Sequence, residues 1–444
     1  MSLVSVLGMA FIDHTARAQG FAIVRDTEIE NTIRAYSVPL FEAAGLDLNS
    51  IRIRLVKDNS LNAFVAGGQN IFLNTGLLTR SDNAGQIIGV LAHEIGHIAG
   101  GHLSRIHEGL RNASTQSIVA MILGTAAAIV AGSAEGVSGA LIGSQALGQR
   151  AIFKYTQGME QAADQAGVKI LDRTGQSSQG LLEFLQILKK QSSLYAVSSD
   201  PYASTHPLTQ DRISFLGNHI QKSPFSKVPT PKQFRSMHAR MRGKLNGYVD
   251  DPHRTLNHYS AEDKRIEARY ARAYAFMKLH DVKNALSIIN QLIDESPKDP
   301  FFYELKGDVL KDAGEIRGAI KAYKQAIKIL PWAALIRISL ARVQLELNDP
   351  NLDDAVLKNI REALRYENEI PAAWRQLATI HGRRGETSKA SLALAEEAML
   401  RGDIGRAKKN VRRALESLPK GTPEYIRALD IDNELAQAKA AEDS

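Results

Sequence analysis

Leu91-Ala92-His93-Glu94-Ile95-Gly96-His97-Ile98 is the stretch around which the N-terminal half of the chain is organised. Residues four apart lie on one face of an α-helix, so His93 and His97 can direct two imidazoles at one point, as a tetrahedral zinc requires. Glu94 follows the first histidine and can reach a metal-bound water as a general base. Because three fixed residues also recur by chance in a long chain, the rest of the sequence must support this interpretation.

A second segment, Tyr155 to Gly175, places two carboxylates at helical spacing. Glu160 and Asp164 are four residues apart, among Ala, Met, Val and Leu, so they share one face that we expect to point inward. Carboxylate pairs on a surface are mostly solvated, whereas a buried carboxylate needs a cation or a donor. A metal on the two histidines meets that need for Glu160, and Asp164 can accept the outer N–H of a ligand histidine.

The segment before the motif predicts a helix and short strands. Apolar residues at helical spacing predict a helix over 26–47, and alternation predicts a strand over 51–56. Gly67-Gly68 separates two short apolar runs, which predicts a hairpin, followed by a helix at 75–78 and the motif helix at 84–101. The hairpin edge could pair with an extended substrate, or the hairpin could simply cover the core.

The motif and the later Glu160-x-x-Ala163-Asp164 together resemble the HtpX-like and CAAX-protease-like gluzincin zinc peptidases. Asn62-Ala63-Phe64 and Thr75-Gly76-Leu77-Leu78 are also similar to the pattern of that family. The resemblance implies one Zn²⁺ per subunit, held by His93, His97 and Glu160, with Glu94 as the catalytic base. It also implies that Asp164 supports a ligand from outside the metal shell.

Downstream, Thr205-His206-Pro207 and Arg212 are similar to a later element of the same family. Three protein ligands leave one open zinc position. His206 could fill that position in a resting state or donate to the oxyanion during turnover, or it could be only a turn residue before the proline. Arg212 could stabilise the oxyanion or hold a carboxylate.

Two more histidines, His102 and His107, lie close to the motif in sequence. His102 is five residues past His97, which predicts that its side chain points to another face. We therefore expect neither histidine to belong to the site.

Two apolar segments bear on export and membranes. Residues 1–18 resemble a secretory signal peptide, with an apolar run and Ala16-Arg17-Ala18 as a cleavage site, which predicts a periplasmic protein. Residues 117–148 carry one charge, Glu135, and Gly132-Ser133 breaks them into pieces shorter than the ~20 residues of a spanning helix. They predict a buried helical hairpin or, alternatively, helices that touch a membrane surface.

Composition excludes several classes of chemistry. The 444 residues contain no cysteine, so disulfides, thiolate ligands and thiol nucleophiles are excluded, in keeping with an oxidising compartment. The net charge is +7, but basic residues are interspersed with acids and form no block with interleaved aromatics. We therefore expect no nucleic-acid partner.

The C-terminal half contains a repeat. Pro297 and Pro331 are 34 residues apart, which is the tetratricopeptide period, and small residues recur at matching places. The clearest unit contains Tyr303, Gly307, Ala319, Tyr323, Ala326 and Pro331. We expect a signal peptide at 1–18, a peptidase domain at 19–220, a helical connector at 221–260 and a repeat domain at 261–444.

The sequence thus predicts a mainly α protein of α+β type, with a helical zinc peptidase domain, a small β-sheet and an all-α solenoid. The resemblance implies an endopeptidase that degrades misfolded or misassembled outer-membrane β-barrel proteins. The repeats would recruit these substrates or the barrel assembly machinery, since solenoids commonly hold a partner on their concave face. A chaperone or scaffold for barrel assembly, with little proteolysis, is the alternative function.

Overall fold

A computed structural model describes residues 22–48, 50–66, 69–102, 142–194, 202 and 206–442. Within these, only the backbone is described at 142–156, 192–194 and 438–442. The proposed signal peptide, the Gly67-Gly68 turn and nearly all of 117–148 lie outside the described residues. Among the residues described, no helix combines the length and the apolar character needed to cross a membrane.

Four short strands form one sheet in the N-terminal half, in the order β1-β2-β4-β3. The strands β2 and β4 are parallel, and the two outer pairs are antiparallel. The predicted hairpin is therefore present as β3 and β4, with Phe64 opposite Phe72 and their rings stacked at 5.0 Å. The strand bounds are Ile23–Val24 (β1), Arg52–Val56 (β2), Ala63–Ala66 (β3) and Asn70–Asn74 (β4).

Six helices lie within the first 222 residues, as far as the structure describes them. Three of them begin where a side chain satisfies a free backbone N–H group: Asp26 accepts from Ile29, Asn83 from Gln86 and Thr209 from Arg212. The bounds are Thr27–Ala44 (α1), Thr75–Arg80 (α2), Ala84–Ala99 (α3), Ile142–Arg173 (α4), Gln179–Leu194 (α5) and Gln210–Lys222 (α6).

The motif helix α3 lies at the centre of the N-terminal core, and nearly all of its residues are buried. It packs against α1, α4 and α5, and two of its glycines make those approaches possible. A Cβ at Gly89 would lie 2.6 Å from the backbone nitrogen of Leu181 in α5, and one at Gly96 would lie 2.6 Å from the carbonyl oxygen of Ala163 in α4. The close α3–α4 contact brings the two predicted ligand segments together.

The C-terminal half is a row of antiparallel helix pairs with separate small apolar cores between successive pairs. Gly307 illustrates the packing, because a Cβ there would lie 2.6 Å from the ring of Tyr323 on the partner helix. The paired helices are Ile266–Lys278 (α9), Val282–Glu295 (α10), Pro300–Asp312 (α11), Ile316–Ile329 (α12), Ala334–Glu346 (α13), Asp353–Tyr366 (α14), Pro371–Arg383 (α15), Thr387–Leu400 (α16), Ile404–Ser417 (α17) and Pro423–Glu442 (α18).

The segment predicted as a connector contains two helices, Lys232–Val249 (α7) and Pro252–His258 (α8). The first of these packs on α1, α2 and α3 on one side and on α9 on the other. Lys244 of α7 is buried, with its Nζ 2.6 Å from Asp26 Oδ2 and 3.2 Å from Glu28 Oε2. Tyr270 of α9 donates to the same Glu28 at 2.8 Å, so buried charges join the repeats to the N-terminal core.

The predicted fold class is confirmed: the protein is mainly α-helical, with one small sheet and an all-α solenoid. Helix bounds differ from the predicted ones only at the ends. The motif helix ends at Ala99, two residues before the prediction, because Gly101 takes a left-handed conformation with φ 59°.

Candidate metal centre

Three separate parts of the chain bring side chains to one buried point beside α3. His93, Glu94 and His97 project from α3, Glu160 projects from α4, and His206 lies four residues before the start of α6. Glu160 and the imidazole of His93 are almost fully buried, and His97 is only slightly exposed. The place where α3 and α4 touch closely is therefore the place where both ligand pairs meet.

Four side chains in this group could hold a metal ion: His93, His97, Glu160 and His206, whose ligand atoms lie within 4.8 Å of one another. His93 Nε2 and His97 Nε2 are 3.1 Å apart. Glu160 Oε2 lies 3.2 Å from His93 Nε2, and Glu160 Oε1 lies 3.2 Å from His97 Nε2. His206 Nδ1 lies 3.1 Å from Glu160 Oε1 and 3.5 Å from His93 Nε2. We call these four residues the metal cluster.

These separations fit a tetrahedral ion. Zinc bonds to nitrogen and oxygen of about 2.0–2.1 Å require ligand atoms roughly 3.3 Å apart along each edge of the tetrahedron. The five distances given above, from 3.1 to 3.5 Å, fall around that value, and all four ligand atoms lie within 4.8 Å of one another. Three imidazoles and one carboxylate are also a donor set suited to zinc and other borderline divalent metals.

The surroundings shift the pKa values of three residues of the metal cluster. Burial opposes the ionised form of Glu160, but His206 and the two motif histidines outweigh it and hold its pKa well below the usual value. Burial lowers the pKa of His97 to about 3. Burial would also lower the pKa of His93, but hydrogen bonds to Asp164 and Glu160 raise it to about 9. The lowered pKa values favour an ionised Glu160 and a neutral His97, which are the forms that bind metals, whereas His93 must lose a proton to bind one.

Glu94 is fully buried beside the metal cluster, and neither of its carboxylate oxygens has a hydrogen-bond partner among the described residues. The nearest polar group is His206 Nε2, 3.6 Å from Glu94 Oε1. Burial raises the pKa of Glu94, which is the change expected of a carboxylate that takes up a proton during a reaction. Unpaired buried carboxylates are uncommon and cluster at functional sites.

Asp164 and Arg212 form a buried ion pair behind the metal cluster. Asp164 Oδ1 lies 2.9 Å from His93 Nδ1, on the side of the ring that faces away from the other ligands. Arg212 donates from Nε and Nη2 to Asp164 at 2.7 and 3.0 Å, and its Nη1 lies 2.9 Å from Glu160 Oε2. Of the two roles considered for Arg212, these contacts are those of a residue that holds carboxylates.

The position of His206 depends on Tyr202. The two rings stack at 4.5 Å with an angle of 27°, and the His206 backbone N–H donates to the Tyr202 carbonyl at 2.7 Å. Phe184 of α5 packs edge-on against the other side of Tyr202. The sequence reasoning missed Tyr202, and the only available signal was an aromatic residue one helical turn before the histidine.

The structure brings together every residue predicted for the site: His93, Glu94, His97, Glu160, Asp164, His206 and Arg212. The prediction that His102 points away from the site is wrong. Its Nδ1 lies 3.0 Å from His97 Nδ1, because the turn at Gly101 folds the chain back towards the helix that it has just left. His107 lies outside the described residues.

Comparison with known proteins shows which proteins this chain is similar to. Residues 25–220 match Peptidase family M48, which confirms the resemblance of this part of the chain to a peptidase family. A Yersinia pestis protein named "Beta-barrel assembly-enhancing protease" is 29% identical over 372 residues, covering 81% of this chain and 74% of that protein. The protein of the same name from Escherichia coli (strain K12) is 25% identical over 389 residues, covering 87% and 78%. A solved structure titled as a thermophilic TPR protein in Thermus thermophilus covers 46% of this chain and 91% of its own, with 20% identity and a TM-score of 0.24.

Proposed function

We propose that this chain is a zinc endopeptidase of the bacterial periplasm that degrades misfolded or misassembled outer-membrane β-barrel proteins. The observation that carries the proposal is the buried metal cluster with the carboxylate of Glu94 beside it, which has no hydrogen-bond partner among the described residues. The match to Peptidase family M48 supports peptide hydrolysis. The name of the relatives, "Beta-barrel assembly-enhancing protease", supports the class of substrate.

In the proposed reaction, zinc supplies Lewis acidity and lowers the pKa of a water molecule. Glu94 then takes a proton from the attacking water and gives it to the amine nitrogen of the leaving fragment. Burial raises the pKa of Glu94, which favours the protonated form that carries the proton to the leaving nitrogen. Asp164 fixes the orientation and tautomer of His93, since the carboxylate can accept a proton only from Nδ1.

The geometry of His206 fits two roles, a gate on the metal and an oxyanion donor. Its Nδ1 belongs to the metal cluster, which fits a fourth ligand that substrate must displace, whereas its Nε2 faces Glu94 and could donate to an oxyanion after a small movement. With a gating histidine, His206→Ala should raise cleavage of unrelated unfolded proteins. With an oxyanion donor, the same change should slow cleavage of every substrate.

The repeats are proposed to recruit the substrate or the assembly machinery rather than to take part in chemistry. Removing them is a poor test, because Glu28 of the N-terminal core would lose its buried hydrogen-bond donor Tyr270. A single change in the intact chain is cleaner. Trp332, between α12 and α13, is 56% exposed, so Trp332→Ser should leave cleavage of a loose peptide unchanged and slow cleavage of an unfolded β-barrel protein.

The decisive experiment compares wild type with Glu94→Gln on an unfolded β-barrel protein, with bound zinc measured in both. The amide cannot take a proton, so we expect full zinc content with cleavage reduced by at least ~10²-fold. His93→Ala and Glu160→Ala should lose both zinc and cleavage. If Glu94→Gln cleaves as fast as wild type, Glu94 is not the base. If purified wild type with bound zinc only prevents aggregation and cuts nothing, the chaperone or scaffold function is the better one.

A further inference from the structure

We propose that His102 is a positioning residue for the metal ligand His97. This inference rests on the proposed metal site and names the residue that contacts His97 from outside that site. In the structure His102 is almost fully buried, with its Nδ1 3.0 Å from His97 Nδ1 and its ring edge-on to that of His97 at 5.0 Å between centroids.

The direction of this hydrogen bond follows from the ligand geometry. His97 Nε2 faces His93 and Glu160, so that nitrogen must present its lone pair to the metal. The proton of the neutral His97 ring is then on Nδ1, from which it can only be donated outward. His102 Nδ1 accepts it, which places the proton of His102 on its own Nε2.

The two motif histidines are therefore held by different chemistry. His93 Nδ1 lies against the carboxylate of Asp164, whereas His97 Nδ1 lies against a neutral imidazole. Outer partners of metal-bound histidines fix the ring orientation and raise its basicity, and a carboxylate does so more strongly than a neutral acceptor. His102 thus orients His97 without adding a negative charge to a site that already contains Glu94, Glu160 and Asp164.

The sequence Gly100-Gly101-His102 is suited to this role. Gly101 has φ 59°, which favours glycine and turns the chain back at the end of α3. A Cβ at Gly100 would clash with the His102 ring at Nε2, so a larger residue there would push the ring out of this place. Both glycines are therefore explained by the need to place His102 against His97.

The test measures zinc affinity by chelator competition and the visible spectrum of the cobalt-substituted protein, neither of which depends on turnover. His102→Leu should weaken zinc binding about 10–100-fold and change the cobalt spectrum. His102→Asn should restore most of the affinity, because its Oδ1 occupies nearly the same place as Nδ1 and accepts the same proton. Gly100→Ala should reproduce the defect of His102→Leu, because the added methyl displaces the ring without changing any polar group.

Two controls separate positioning from loss of packing. His238→Leu removes an equally buried histidine that bonds to the Ser81 carbonyl, and Gly217→Ala adds a methyl that has no atom of the described residues within 4 Å. Both should keep the zinc affinity and the cobalt spectrum of wild type. Equal affinity and equal spectra for wild type and His102→Leu would overturn the inference, as would an Asn variant as weak as the Leu variant.

The metal site itself is checked in the same titrations. If His93→Ala binds zinc as tightly as wild type, zinc is held elsewhere, and the proposed function and this inference fall together. If His93→Ala loses zinc while His102→Leu keeps it, only the role of His102 is refuted.

Discussion

Gly96→Ala is a small change that should disable the metal site without touching a ligand. Gly96 lies between Glu94 and His97 on α3, at the point where that helix crosses α4. The added Cβ would lie 2.6 Å from the Ala163 carbonyl oxygen and 3.1 Å from Ala163 Cα. Both atoms belong to backbone, so the contact cannot be relieved by turning a side chain.

The size of the effect follows from these distances. An ordinary contact of 3.4 Å requires the two helices to separate by about 0.8 Å at this point. Because His97 and Glu160 lie on the two helices, their present separation of 3.2 Å would grow towards 4 Å. Metal–ligand distances tolerate deviations of about 0.2 Å, so zinc affinity should fall at least tenfold. Overpacking should also cost about 1–3 kcal/mol of unfolding free energy.

The assay is zinc competition against a chelator, with urea unfolding of the metal-free protein measured alongside. Gly158→Ala is the matched control, because it makes the same substitution on α4, two residues before Glu160, where no atom of the described residues lies within 4 Å of the new Cβ. That variant should bind zinc like wild type. Wild-type zinc affinity in Gly96→Ala would refute the view that close α3–α4 packing sets the ligand geometry.

Three further predictions concern stability. Arg212→Met leaves Asp164 uncompensated in the core and should lower the unfolding free energy by about 3–5 kcal/mol in urea titrations, whereas Arg265→Met, which breaks an exposed pair, should cost at most about 1 kcal/mol. Burial lowers the pKa of His238 to about 4, so the unfolded chain binds a proton at this histidine before the folded chain does as the pH falls below 6.5. Between pH 7.5 and pH 4, the unfolding free energy of wild type should therefore fall by up to about 3 kcal/mol more than that of His238→Asn. Equal losses in the two proteins would contradict this prediction. Zinc at a hundred times its Kd should stabilise the metal-free protein by about 2.7 kcal/mol in thermal unfolding, and a similar gain in His93→Ala would place the ion elsewhere.

The proposed activity needs the N-terminal core and the repeats, and a buried group of charged and polar side chains joins them. The connector helix α7 contributes Lys244 to a buried group of charges with Asp26 and Glu28, and Tyr270 of the first repeat helix joins the same group. Breaking such a group by removing one partner is costly, because the remaining charge stays buried. A substrate held by the repeats would therefore be held at a fixed distance from the metal cluster.

Local periodicity in the sequence was enough to determine the ligand-bearing helices and the repeats. His93 and His97 share a face, as do Glu160 and Asp164, because residues four apart stack on any α-helix, whatever surrounds it. The period of the prolines and small residues likewise predicted the helix pairs of the solenoid before any contact was known. These features depend on spacing within one element, and spacing is visible in a single sequence.

The tertiary structure alone decided which residues from distant segments touch the ligands, and in what orientation. Spacing placed His102 on another face, but the left-handed turn at Gly101 returns it to His97. Arg212 had two possible roles until its donors were found on Asp164, and the role of Tyr202 was recognised only when its ring was found on His206. Such contacts follow from how helices cross and where loops return. Those geometries arise from packing across the whole core, which no local pattern encodes.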